Sequence, residues 1–302
     1  MICGWGNFKN ATCLPFAGAS KINAMPSDPL KALAAFAAGS PSESERAATF
    51  TAAIDQLVRP VHLTVSWGDR MLTIDKACAF MSDPVFRQSY ETIRGSHIYD
   101  AYDAPHTVAW RLNTLVWAAR CALAHQGDFV ECGVFKGDMA WVVATVLGDA
   151  LRDRTFYLYD SFEGFSPKWS RPEDYPENPG FLDFANRVYR EPGLHEMVLA
   201  KFAGMPHVRV TRGFLPEALD IVMPERIAFL HIDLNSPAAE VGVLKVLFDR
   251  VVTSGIIVFD DYGWQVFSRQ REAEDAFMAE RGHVILELPT GQGLVVKHDY
   301  RR

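Results

Sequence analysis

Residues 128–142 constrain the fold more than any other stretch: Asp-Phe-Val-Glu-Cys-Gly-Val-Phe-Lys-Gly-Asp-Met-Ala-Trp-Val. A short apolar run ends at Glu131, and glycines follow at Gly133 and Gly137. A helical pattern then starts at Asp138 and runs through Val142, Val143, Val146 and Leu147. Strand, tight turn and helix in that order predict the first βα junction of a nucleotide-binding α/β sheet. Glycine has no Cβ, so backbone can come close to a ligand there. The helix start behind the turn offers unpaired N–H groups. The spacing is G-x-x-x-G, not G-x-G-x-x-G, and by itself it fits an ordinary βα turn equally well. The strands that follow decide.

Four further apolar runs follow. They are Thr155–Tyr159 before Asp160, His207–Thr211 before Gly213, Arg226–Ile232 before Asp233, and Gly255–Phe259 before Asp260-Asp261-Tyr262. Helical patterns separate them at 138–147, 181–189 with 194–202, 216–221 and 238–251, and another follows at 268–281. Val284–Leu288 and Leu294–Lys297 flank Pro289-Thr-Gly-Gln-Gly and predict a terminal hairpin. Alternating β and α elements ending in a hairpin imply a parallel sheet with one late reversed strand. Upstream, a long helix over 108–125 is predicted to stop at a Gly127 C-cap.

The first hundred residues are mixed. Helices are predicted over 31–38, 47–57, 75–80 and 84–93, the last capped by Ser82-Asp83 with Pro84 at its first position. Ser66–Thr73 reads as a polar-aromatic loop. This gives a partly helical extension, arm or lid, over 1–105 and a main domain over 106–302. The segment 165–180, rich in Pro, Trp, Tyr and acids, is long for a loop and predicts a lid or substrate wall. Its aromatics, with Trp169, Tyr175 and Phe181 as the candidates, fit either a sugar-stacking wall or a cluster that packs the loop.

Composition excludes several classes. With 49% hydrophobic residues in 302, the chain has ample core. A net charge of −7 and no basic stripe argue against nucleic acid. No apolar run approaches the ~20 residues of a membrane span. Lys9 is not followed by a continuous apolar run before Pro15, so no signal peptide is expected. Five scattered cysteines without C-x-x-C suggest reduced thiols and a cytoplasmic setting. Cys132, beside the glycine turn, reads as a small buried hydrophobe rather than a nucleophile.

In an open parallel sheet, ligands sit beyond the C-terminal strand ends. Glu131, Asp160, Asp233, Asp260 and Asp261 all fall there, which chance placement of polar loop residues explains poorly. Asp160, one βα unit after the glycine turn, is placed to accept hydrogen bonds from two ribose hydroxyls. A carboxylate there repels a 2′-phosphate, so a nucleoside is the expected ligand. Asp233, Asp260 and Asp261 would repel one another strongly if crowded on adjacent strands, and a divalent cation is the usual remedy. An all-oxygen set suits Mg²⁺, Mn²⁺ or Ca²⁺ over Zn²⁺.

These segments resemble the macrocin O-methyltransferase (TylF/MycF-like) family of class I S-adenosylmethionine enzymes. The resemblance is carried by Trp110-Arg-Leu-Asn, Gly127-Asp-Phe-Val-Glu-Cys-Gly-Val-Phe-Lys-Gly, Asp160-Ser-Phe-Glu-Gly, Arg212-Gly-Phe, His231-Ile-Asp and Gly255-Ile-Ile-Val-Phe-Asp-Asp-Tyr-Gly, in order across roughly 108–298. It implies a Rossmann-like seven-stranded α/β sheet, mostly parallel with one antiparallel strand. It also implies that Glu131, Gly133 and Gly137 hold the methionine part of S-adenosylmethionine, with Asp160, Ser161 and Gly213 on the nucleoside side. Asp233, Asp260 and Asp261 would hold Mg²⁺, which would grip a hydroxyl of a small acceptor, a sugar or glycosylated metabolite. Members are often dimers or larger, so a homo-oligomer is a further expectation. One position departs from the pattern: where antibiotic-sugar members carry an acid, this chain has Asn235, and an amide cannot take a proton at neutral pH. His231, His106 and Asp103 are then candidate bases, and Asn235 could still orient a hydroxyl. The same departure keeps open a different chemistry on this scaffold, or a cofactor-binding protein that does not catalyse.

Overall fold

The structure is a computed structural model and describes residues 65–69, 71–93 and 108–299. The helices expected over 31–38 and 47–57, together with Asp103 and His106, lie outside the described residues. The described residues fall in two compact units, each taken by itself.

The first unit contains a hairpin. Strands β1 (Val65–Gly68) and β2 (Met71–Ile74) pair antiparallel, Val65 opposite Ile74 and Gly68 opposite Met71. This corrects two expectations. Ser66–Thr73 is not a loop, and 75–80 is not an α-helix but a bend with Asp75 at φ +54°, followed by a single 3₁₀ turn, Ala79–Ser82. Strands of four residues are too short for their alternation to stand out in sequence.

The second unit is built on a seven-stranded sheet ordered β5-β4-β3-β6-β7-β9-β8. Its strands are β3 (Asp128–Cys132), β4 (Phe156–Asp160), β5 (Val208–Arg212), β6 (Ile227–Ile232), β7 (Val251–Phe259), β8 (Leu286–Glu287) and β9 (Gly293–Val296). Strands β3 to β7 are parallel, and β9 runs antiparallel to β7 and β8, as the apolar runs and the terminal hairpin predict. All six residues of β6 are buried, as a strand covered on both faces should be.

Helices α1 (Pro84–Ile93) and α2 (Ala109–Ala122) pack against α3 (Asp138–Leu147). Asp83 caps α1, accepting the Val85 and Phe86 N–H groups at 2.9 and 3.2 Å. Helix α2 ends at Ala122, short of the expected Gly127 cap. Beyond its end, Arg154 takes the carbonyls of Leu123, His125 and Gly127 at 2.7 to 2.9 Å. The order continues with α4 (Phe181–Val188), α5 (Leu194–Phe202), α6 (Pro237–Leu247) and α7 (Ser268–Ala279), and α6 packs on α7. Among the described residues, no helix is long and apolar enough to cross a membrane.

Candidate active site

The chain reverses its strand order between β3 and β6, and a cleft opens there at the C-terminal strand ends. Gly133 after β3, Asp160 and Ser161 at β4, Gly213 after β5, and Asp233 to Ser236 after β6 all line it. The cleft is open to solvent at its mouth, and about 690 Å³ of empty space is counted there with the solvent included.

The two turn glycines make room for protein as well as for a ligand. A Cβ on Gly133, at φ +89°, would stand 1.8 Å from the Asp233 carbonyl oxygen. That oxygen cannot retreat freely, because the Asp233 N–H donates to the Cys132 carbonyl at 2.8 Å within the sheet. Gly133 thus lets the ends of β3 and β6 close together and brings Asp233 to the cleft. Gly137, at φ +75°, starts α3, and a Cβ there would stand 2.8 Å from the Phe202 ring.

Asp160 ties the glycine turn to β4. Its Oδ2 accepts the Val134 and Phe135 N–H groups at 2.7 and 2.8 Å, and Oδ1 accepts that of Phe162 at 2.6 Å. With two lone-pair sites on each carboxylate oxygen, Oδ2 is filled and Oδ1 keeps one. Phe135 and Phe162 hold φ of +46° and +55°, a left-handed conformation that non-glycine residues seldom adopt outside constrained sites. Ser161 donates to the Gly164 carbonyl at 2.7 Å and shapes the same turn.

The carboxylates of Asp233, Asp260 and Asp261 converge, with ligand oxygens all within 4.8 Å of one another. Behind them runs a buried chain of charge. The Arg111 Nη1 donates to Asp260 and, at 2.9 Å, to Asp261. Gln292 donates to Asp260 Oδ1 at 2.9 Å. His231 lies between Asp260 at 3.5 Å and Glu131 at 3.1 Å and is wholly buried. Burial alone would lower the His231 pKa, but hydrogen bonds and charge from Asp260 and Glu131 outweigh it and raise it to about 10. A histidine so placed holds its proton at neutral pH, and neither nitrogen reaches the cleft. Burial pushes Glu131 up. Burial also opposes ionisation of Asp260, yet Arg111 and His231 hold it below the usual carboxylate range. Half-buried Asp233 is pushed well above that range, by enclosure first and then by Asp260 and Asp261.

Asn235 is buried in the cleft wall at φ +54°. Its Nδ2 donates to Asp233 Oδ1 at 3.1 Å, and its Oδ1 has no hydrogen-bond partner. The segment 165–180 is latched to this turn. The Tyr175 hydroxyl donates to the Asn235 carbonyl at 2.7 Å, and Ser236 Oγ donates to the Trp169 carbonyl at 2.9 Å. The Tyr175 and Phe181 rings lie 4.7 Å apart at a tilt of 44° and meet Phe165 and Phe267. Of the two expectations for these aromatics, the packed cluster describes Tyr175, which is fully buried, and Phe181. Cys132 is buried, and its thiol is pushed well up by burial, as a small hydrophobe rather than a nucleophile.

Sequence reading missed Arg111 and Gln292. Arg111 partners residues 149 and 150 positions away, and Gln292 reaches back 32. One signal was available: an arginine inside the otherwise apolar run Ala109-Trp-Arg-Leu must bury its charge against something.

An all-oxygen trio at this spacing is a donor set for a hard divalent cation. Arg111 already neutralises part of it, so a cation would share Asp260 and Asp261 with the guanidinium.

Mycinamicin III 3''-O-methyltransferase of Micromonospora griseorubida is 31% identical over 160 residues, which are 50% of this chain and 62% of that protein. The chain thus matches under two thirds of that relative's length. Among solved structures, the O-methyltransferase NovP superposes with a TM-score of 0.56 at 20% identity, covering 73% of this chain and 98% of its own. The calicheamicin methyltransferase CalS11 gives 0.53 at 16% identity, covering 74% and 95%. These two likenesses are likenesses of fold. With residues 106–285 matching its family description, the chain belongs to the macrocin O-methyltransferase (TylF) family.

Proposed function

We propose that the protein is an S-adenosylmethionine-dependent O-methyltransferase acting on a hydroxyl of a small molecule, a sugar or glycosylated metabolite of natural-product biosynthesis. The observation that carries the reading is the cleft where Gly133, Asp160, Gly213 and Asp233 meet, in a chain of this family. The relative's name, which gives mycinamicin III as acceptor and 3'' as the methylated position, supports the acceptor class.

In this reading the glycine turn and Asp160 hold the cofactor, which supplies the methyl group. Glu131 serves from behind, through His231, because it is 1% exposed. Asp233, Asp260 and Asp261 would hold Mg²⁺ or a similar cation, whose contribution there would be to lower the pKa of the acceptor hydroxyl. Arg111, His231 and Gln292 keep Asp260 ionised and oriented. Asn235 acts through Asp233, which its Nδ2 orients at 3.1 Å, because its own Oδ1 is shut off from the cleft. His231, enclosed between carboxylates, is a poor general base. The scattered cysteines fit a cytoplasmic setting.

The test is methyl transfer from labelled S-adenosylmethionine to a panel of glycosylated metabolites, with and without a chelator. Label is expected on an acceptor hydroxyl and should fall at least about tenfold on chelation. Full transfer in the chelator would remove the cation from the reading. No transfer together with no binding of S-adenosylhomocysteine would remove the whole of it.

A further inference from the structure

Glu240 in the first turn of α6 and Glu274 in α7 are both wholly buried, yet the site chemistry uses neither. Glu240 Oε1 accepts the N–H groups of Leu234 and Asn235 at 3.1 and 3.0 Å. Those amides belong to the turn that follows Asp233 and carries the left-handed Asn235 into the cleft wall. Asparagine enters that conformation more readily than other non-glycine residues, and the two N–H bonds to Glu240 hold the turn in it.

The other acceptors nearby are poorly served. Glu240 Oε2, both Glu274 oxygens and Gln270 Oε1 have no hydrogen bond of normal geometry, although the Gln270 amide lies close to Glu274. Two buried carboxylates cannot both ionise side by side. A single shared proton resolves this, since a protonated carboxyl is a donor. Glu240 already accepts two N–H bonds, which favours its charged form, so the proton belongs on Glu274. Burial pushes both groups up, Glu274 well up, in keeping with one neutral acid in the pair.

We propose that Glu240 is a positioning residue: a carboxylate backed by protonated Glu274, it clamps the turn at Leu234 and Asn235 and so sets where Asp233 and the Asn235 side chain stand in the cleft. The use of that cleft rests on the methyltransferase reading; the clamp itself does not.

Amide hydrogen exchange in the full chain tests it, with S-adenosylhomocysteine titration alongside. Glu274→Gln keeps a donor toward Glu240 without needing a proton. It should leave exchange at Leu234 and Asn235, and S-adenosylhomocysteine affinity, within about twofold of wild type. Glu240→Leu should speed exchange in that turn about tenfold or more while β3 and β4 stay protected. Wild-type protection of the turn in Glu240→Leu would overturn the proposal. So would equal opening in both variants, which is what mere packing of α6 on α7 predicts. If Glu240→Leu does not fold, Glu240→Gln, with a weaker neutral acceptor, should show a smaller rise at the same two amides, and wild-type protection there would also overturn it. A wild-type protein that ignores S-adenosylhomocysteine would count against the methyltransferase reading and leave the exchange comparison intact.

Discussion

Asp260→Asn is expected to lower methyl transfer by roughly 10²–10³-fold, the scale on which a charge-stabilising group matters in an enzyme. The carboxylate has three buried partners, Arg111, His231 and Gln292, and belongs to the acid trio. An amide of the same shape keeps some hydrogen bonds but removes the charge that both cations face. Removing one partner of a buried ion pair leaves the other uncompensated, at about 3–5 kcal/mol. A drop in Tm of roughly 6 °C or more should therefore accompany the lost activity. Far-ultraviolet circular dichroism separates the two effects, since a folded, inactive variant supports a chemical role. A variant with wild-type turnover would show that Asp260 is structural only.

Arg111→Met should have an effect of similar size and of diagnostic sign. Without its guanidinium, Asp260 and Asp261 repel each other inside the protein, and the metal-free variant should lose about 3–5 kcal/mol. The same loss makes the trio more negative, so Mg²⁺ should bind roughly tenfold tighter or more. Ligand that binds only the folded state stabilises it, by about 2.7 kcal/mol at a hundredfold excess over Kd. Magnesium should thus restore much of the Tm of Arg111→Met while shifting wild type less. Thermal melts of both proteins with and without Mg²⁺ measure this. A variant whose Tm ignores Mg²⁺ would argue that the trio holds no cation.

The sheet was legible because its signals are local. Runs such as Ile227–Ile232 are apolar but for one residue, His231, and each is cut off by an acid or glycine at the ligand end. The convergence of Asp233, Asp260 and Asp261 followed from the same rule, since parallel neighbours put equivalent ends side by side. What stayed hidden depends on partners far apart in the chain. Glu274 stands in Arg-Glu-Ala-Glu-Asp, a run that reads as a solvated helix face, yet it is wholly buried against α6. His231 looked like a base because sequence cannot show that both of its nitrogens face carboxylates. Gly133 was read as making room for a ligand, and the nearest obstacle to a Cβ is the backbone of Asp233.

Crystals grown with S-adenosylhomocysteine and Mn²⁺, with diffraction collected at the manganese edge, put cofactor and cation to the test together. One anomalous peak is expected among the carboxylates of Asp233, Asp260 and Asp261, with the nucleoside beside Asp160 in the cleft. Nucleoside density with no peak at the trio, and Arg111 alone between Asp260 and Asp261, would contradict the account.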